Sequence, residues 1–277
     1  MYLILVCKTH YPPIFFIVPR SFSMLMKGKK GLIVGVANKR SIAWAIAQRC
    51  VEQGAQCAFS FQSERLGENV KELTNDLPGS LMFQMDVSDD AQVHKGFNYL
   101  REAWGQIDFL VHAVAYAPRQ ALEGDFVSTT REDFRTALDI STYSLPVLAH
   151  AAKPLMTQGG SIVALTYLGS ERVMPNYNVM GVAKAALESA TRYLASDLGP
   201  FNVRVNCISA GPIKTLAAAG IGGFSSILDL HRSKAPLRKN TELEEVGDAG
   251  VFLLSDMGRG ITGQVLYVDG GYSIMAL

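Results

Sequence analysis

The strongest constraint on this chain is a series of short, nearly unbroken apolar runs, each followed by a longer stretch that reads as helix. The runs fall at residues 32–36, 56–61, 81–85, 109–113, 161–166, 203–209 and 265–268. Helical sequence lies between them at 41–53, 64–76, 91–104, from 130 onward, at 176–198 and at 242–254. A strand with one face in water alternates apolar and polar residues; these do not, so both faces must be covered. Strands alternating with helices then give a parallel sheet, and right-handed crossovers make it a doubly wound, Rossmann-type α/β fold. The helix after Thr130 is expected to break near Pro146 and Pro154, and residues 210–241 read as a long connection. With 277 residues, 48% of them apolar, the chain suits one large domain.

In such a sheet, ligands bind beyond the carboxyl ends of the strands. Gly35, Gln62, Asp86, Val114 and Thr166 all stand at that edge. The first turn, Gly35-Val36-Ala37-Asn38-Lys39-Arg40-Ser41-Ile42-Ala43, lacks the G-x-G-x-x-G spacing. Gly35 still lets the strand turn, and Ser41-Ile42 open a helix whose N–H groups and dipole suit a pyrophosphate. An ordinary turn capped by Ser41 would look the same. The acidic residue that takes ribose hydroxyls after the second strand is absent, and Gln62 stands nearby. Asp86-Val87 either holds an adenine, by hydrogen bonding and packing, or caps the next helix.

The sixth run leads away from a helix that opens on Tyr177 and carries Lys184. Seven residues turn a helix through about 700°, which places the two about 20° apart on one face. A phenol that can donate a proton and an ammonium that holds charge make a candidate active site; a buried Tyr beside a solvated Lys is the plain alternative. The periodicity predicts that Ala183, Ala186, Leu187, Ala190, Tyr193 and Leu194 form the buried stripe of this helix. In the connection 213–235, Gly220, Gly222 and Gly223 loosen the chain while Ile221, Phe224, Ile227 and Leu228 offer apolar surface, the pattern of a lid.

Charge excludes some functions. Lys plus Arg (26) nearly cancels Asp plus Glu (25), so no net field attracts nucleic acid or an anionic membrane. The four cysteines show no metal or redox spacing, and no metal is expected. Residues 1–26 stand apart: two short apolar runs interrupted by Lys8, His10, Pro12 and Pro13 cannot span a bilayer. They read as a dispensable leader or a start assigned too early, with Met24 or Met26 opening the domain at 27–277; an acid-poor leader with Arg and Ser also fits organelle import.

The motifs, taken in order, resemble one family. Ser41-Ile42-Ala43, Tyr167-Leu168-Gly169, Pro175-Asn176-Tyr177-Asn178-Val179-Met180-Gly181, Ser209-Ala210-Gly211-Pro212-Ile213 and Val268-Asp269-Gly270-Gly271 are similar to those of the NADH-dependent enoyl-[acyl-carrier-protein] reductases of bacterial type II fatty-acid synthesis. These are a divergent branch of the short-chain dehydrogenase/reductase superfamily. The resemblance implies that Gly35, Ser41, Ile42, Gln62, Asp86, Val87, Val114, Lys184 and the stretch Ile213, Lys214, Thr215, Leu216 and Ala217 contact the cofactor. It implies that Tyr167 and Tyr177 meet the reacting thioester, with Ala117 beside the substrate; Met180, and Ile221 and Phe224 of the lid, are further expected to contact it. It also implies acyl-carrier protein as the substrate's bearer and a cytoplasmic homotetramer. NADH is expected over NADPH, because Glu64 after Gln62 would repel a 2′-phosphate; Arg65 argues the other way. An ordinary ketone-reducing member would place Lys at 181 and Ser at 164, where this chain has Gly and Ala. A non-catalytic dinucleotide sensor is the remaining alternative.

Overall fold

The computed structural model describes residues 24–215, 218 and 223–276. Seven strands form one sheet in the order β3-β2-β1-β4-β5-β6-β7, every neighbouring pair parallel. They are β1 (Lys30–Val34), β2 (Gln56–Phe61), β3 (Leu81–Gln84), β4 (Phe109–His112), β5 (Gly160–Thr166), β6 (Val203–Ala210) and β7 (Val265–Val268). The helices are α1 (Ile42–Glu52), α2 (Glu64–Thr74), α3 (Asp90–Trp104), α4 (Arg131–Leu138), α5 (Ser144–Ala152), α6 (Asn178–Leu198), α7 (Phe224–Lys234) and α8 (Leu243–Leu254).

The apolar runs are continuous because successive residues serve two cores. Leu32 and Val34 of β1 face the core built with α3, α5 and α6, while Ile33 between them faces the core built with α1, α2 and α8. Ile162 and Ala164 of β5 divide from Val163 and Leu165 in the same way. The order reverses between β1 and β4, so the crevice for a ligand opens over the ends of those strands.

Three local expectations are corrected. The helix does not break at Pro146: a π-helical turn at Asp139–Tyr143 leads directly into α5, which contains that proline. A wider turn supplies slack where the proline ring would otherwise crowd the carbonyl four residues back. Residues Phe224–Lys234, within the expected connection, are helical. The buried stripe of α6 is also rotated: Tyr193 is 74% exposed, while Lys184, Glu188 and Thr191 are buried among Met180, Ala183, Leu187, Ala195 and Leu198. Each of those polar residues has a partner: the Leu165 carbonyl, Thr166 and Cys207 respectively. Hydrogen bonding thus offsets a burial that hydrophobic periodicity alone disfavours.

Residues Met24–Met26 pack against the end of α1. Met26 is fully buried, and its N–H donates to the Gln53 carbonyl at 2.9 Å. Met26→Ala should lower unfolding stability by about 2–5 kcal/mol, measurable by urea titration, and a chain beginning at Met24 should unfold as the full-length protein does.

Candidate active site

The switch-point edge gathers the expected residues. Outward from β3 towards β5 stand Asp86, Gln62, Gly35, Val114 and Thr166. Gly35 has φ 105°, a left-handed conformation that suits glycine, and a Cβ there would meet the Ala113 carbonyl oxygen at 2.2 Å. Ser41 does not cap α1 with its side chain. Its Oγ accepts instead from the Ala37 and Asn38 amides at 3.0 and 3.1 Å, fixing the turn. Among the described residues no group accepts from the N–H of Ile42 or Ala43. The helix start is therefore left open for an anion.

At the far end of the edge, Gln62 Nε2 donates to Asp86 Oδ2 at 2.9 Å, and Ser88 donates twice to Asp86 Oδ1. Burial raises the Asp86 carboxyl, but these hydrogen bonds outweigh it and hold the group below its ordinary value. Asp86 thus stays an acceptor. The next helix is capped by Asp89, not Asp86, so the capping alternative for Asp86 falls away. Val87 and Val114 pack, half-buried, against the core beneath.

A mainly apolar cavity of about 380 Å³ opens over the ends of β4, β5 and β6. Tyr167, Tyr177, Lys184, Met180, Ala117, Ile42, Ile213, Thr215 and Phe224, all candidate site residues, line it. Lys214 is described but does not line the cavity, and Leu216, Ala217 and Ile221 lie outside the described residues. Tyr116 also lines it, as do Arg119, Leu122 and Met174, which the sequence reading does not single out. Their loops carry no periodicity; the usable signal was their position just after β4 and just before Tyr177.

Several contacts fix the two tyrosines. Their rings meet edge to face, centroids 5.0 Å apart at 70°. Tyr177 precedes the first residue of α6 instead of lying on it, so the two-turn alignment with Lys184 is only approximate. Asn176 and Asn178 on either side have φ 60° and 36°, a left-handed conformation that asparagine tolerates and that marks strain at a site. Asn178 Nδ2 donates to the Gly124 carbonyl at 3.1 Å. The π turn tethers the opposite wall: Ser141 Oγ accepts from the Tyr116 amide and donates to its carbonyl, both at 2.9 Å, and Thr142 Oγ1 donates to the Ala183 carbonyl at 2.8 Å.

Burial sets the protonation states. It pushes the Tyr167 phenol up to about 12, helped by Tyr272. Burial first, then Tyr167 and Glu188, raise Tyr177 well above the ordinary phenol range. Both are donors at neutral pH. Lys184 Nζ donates to the Leu165 carbonyl at 2.7 Å, and burial pulls its ammonium down to about 8, against the raising effect of Cys207 and Glu188.

A parallel sheet with a pyrophosphate-ready turn and a cleft holding Tyr167, Tyr177 and Lys184 fits the short-chain dehydrogenase/reductase class that the motifs resemble. Within that class the lysine position is decisive. A Cβ at Gly181 would lie 2.7 Å from the Gly169 carbonyl oxygen, so the site has no room for the lysine of a ketone reductase. The chain belongs to the enoyl-(acyl carrier protein) reductase family, whose model matches residues 35–273. It is 50% identical over 251 residues to the NADH enoyl-[acyl-carrier-protein] reductase FabI of Rickettsia felis, covering 91% of this chain and 96% of that one. It is 51% identical over 253 residues to FabI of Bacillus subtilis, covering 91% and 98%. Among solved structures it is similar to the Bacillus cereus enoyl-acyl carrier protein reductase with NADP+ and indole naphthyridinone, at TM-score 0.90 and 50% identity, covering 91% and 99%. It is also similar to the Anaplasma phagocytophilum enzyme with NAD, at TM-score 0.89 and 49% identity, covering 92% and 97%.

Gly181→Ala should force α6 away from the loop after β5, costing about 1–3 kcal/mol in chemical unfolding and lowering turnover through the displaced tyrosines. Unchanged stability and activity would refute the close-packing argument.

Proposed function

We propose that this chain reduces the C2=C3 double bond of trans-2-enoyl thioesters carried on acyl-carrier protein, with NADH as reductant, in the reductive step that ends each round of fatty-acid elongation. The observation that carries this reading is the pair of protonated phenols, Tyr167 and Tyr177, set edge to face in an apolar cleft, with a ketone reductase's lysine excluded at Gly181.

The residues fit a dinucleotide. The open N–H groups at the start of α1 suit a pyrophosphate, Gln62 and Asp86 suit the adenosine end, and Lys184 with Ile213 and Thr215 suits the nicotinamide end. Lys214, Leu216 and Ala217 belong to the same proposed contact. Bound NADH supplies the hydride that goes to C3. The protein's part is to stabilise the negative charge that then builds on the thioester oxygen. Tyr177 Oη, kept protonated by burial, donates a hydrogen bond to that oxygen. Lys184 keeps a positive charge at the cofactor's ribose and near the developing enolate. Tyr167 walls the same chamber and is the rival donor. Met180, Ala117 and Phe224 give the acyl chain an apolar surface; Ile221 and the 213–235 lid complete the proposal.

We further infer a homotetramer in the cytoplasm. The family resemblance supports this reading, and exposed Tyr143 beside Pro146 and Val147 on the α3–α5 face supplies apolar surface for a symmetric contact.

Oxidation of NADH followed at 340 nm (the nicotinamide absorbance) with an enoyl and then a ketoacyl thioester tests the reaction class; the ketoacyl substrate winning would overturn it. Tyr177→Phe should cut kcat by roughly 10²–10³, the cost of losing one donor to the oxyanion, with NADH binding nearly unchanged. A silent Tyr177→Phe with a dead Tyr167→Phe would exchange their roles. Because Lys184 is charged below about 8 and neutral above it, NADH affinity should hold at lower pH and fall as pH rises through that value. Lys184→Ala should remove that pH dependence, as titration calorimetry would register.

A further inference from the structure

Lys184 is only 5% exposed, and an ammonium has three donors to satisfy. One goes to the Leu165 carbonyl at the end of β5. Holding a cation at such a place is costly without a counter-charge. Titratable groups approach it from each element packed around it. From β4 comes His112, which burial and the Lys184 charge push down to about 3, so the imidazole is neutral. From β6 comes Cys207, whose thiol burial pushes up to about 11 and which, with Glu188, acts to favour the Lys184 ammonium. From α6 itself comes Glu188, one helical turn beyond Lys184 and on the same face.

Glu188 is as deeply buried as the lysine, at 6% exposure. Its Oε1 accepts a hydrogen bond of 2.6 Å from Thr166 Oγ1. Thr166 is the residue after Leu165, so adjacent positions of β5 hold the two side chains: one backbone carbonyl for the ammonium, one hydroxyl for the carboxylate. Each side chain is thus anchored to β5 before any ligand arrives. We propose that Glu188 is a positioning residue of the reductase, whose carboxylate, clasped by Thr166, keeps the Lys184 ammonium charged and held at the floor of the cofactor cleft. The inference rests on the reading of Lys184 as a cofactor-binding residue.

The alternative role for Glu188 is a clasp between α6 and β5 with no electrostatic consequence, and two substitutions separate the roles. Glu188→Gln keeps an oxygen to accept from Thr166 and removes the charge. Thr166→Val removes the clasp and keeps the charge. In Glu188→Gln the Lys184 Nζ titration, followed by side-chain NMR and assigned with Lys184→Met, should move down by about one pH unit or more, the scale of a lost opposite charge. The pH at which NADH affinity falls should move with it, while the unfolding midpoint stays near that of the parent. Thr166→Val should lower the unfolding midpoint and leave the titration closer to the parent value than Glu188→Gln does. Adding Glu188→Gln to Lys184→Met should cost no further NADH affinity, since the two act through one group.

The proposal is overturned if Glu188→Gln leaves both the Nζ titration and the pH limit of NADH affinity where they were. Should Lys184→Met bind NADH as the parent does, the cofactor role of Lys184 fails instead. The Nζ titration in Glu188→Gln still decides whether Glu188 governs its charge.

Discussion

The arrangement of the site depends on one close backbone approach. Helix α6 comes so near the loop after β5 that a side chain at 181 would run into the Gly169 carbonyl, and one at 169 would run into the Tyr177 ring at 2.5 Å. Two glycines facing each other allow this contact. It brings Tyr177 onto Tyr167, and it denies the helix a lysine one turn after the tyrosine. The cation must then come from a later turn, at Lys184, where the helix lies over the end of β5 and the ammonium finds the Leu165 carbonyl. The long Tyr–Lys spacing follows from packing as much as from chemistry.

That displacement gives α6 an unusual burden. Its buried face holds Lys184, Glu188 and Thr191 in positions where an amphipathic helix normally carries leucine or alanine. Each of the three makes a hydrogen bond to an atom of β5 or β6, and those strands are themselves fixed by the sheet. Buried hydrogen bonds of this kind favour one register between helix and strand, because any slide leaves donors and acceptors unmatched in a dry interior. The helix that carries Lys184 is thereby held against sliding along β5.

This also explains what could and could not be read from the sequence. The strands were legible because each alternately feeds two apolar cores, so uniform hydrophobicity is itself the signal. Tyr167, Tyr177 and Lys184 were legible through motif and resemblance. The buried stripe of α6 was misplaced because hydrophobic periodicity scores Lys184 and Glu188 as surface residues, and their partners lie on strands far away in sequence. The π turn before Pro146 and the roles of Ser141 and Thr142 were invisible for the same reason: their hydrogen bonds run to Tyr116 and Ala183, contacts that exist only in three dimensions. Helix α7 went unread because glycines precede it and only part of its surface is buried.

Under the proposed reaction, the electrostatics of the two phenols suit an oxygen that is never left as an alkoxide. Burial, Tyr167 and Glu188 all act on Tyr177 in one direction, upward, so the phenol is a firm donor and a poor acid. A ketone's oxygen must finish as an alcohol, which calls for ready proton delivery at that atom. An enoyl thioester's oxygen carries charge only transiently and returns to a carbonyl, with the final proton ending on C2. For that course a hydrogen bond that stays put is worth more than an acid that ionises. In an apolar cavity, where a preorganised donor acts with little screening, it is also the stronger stabiliser of the enolate.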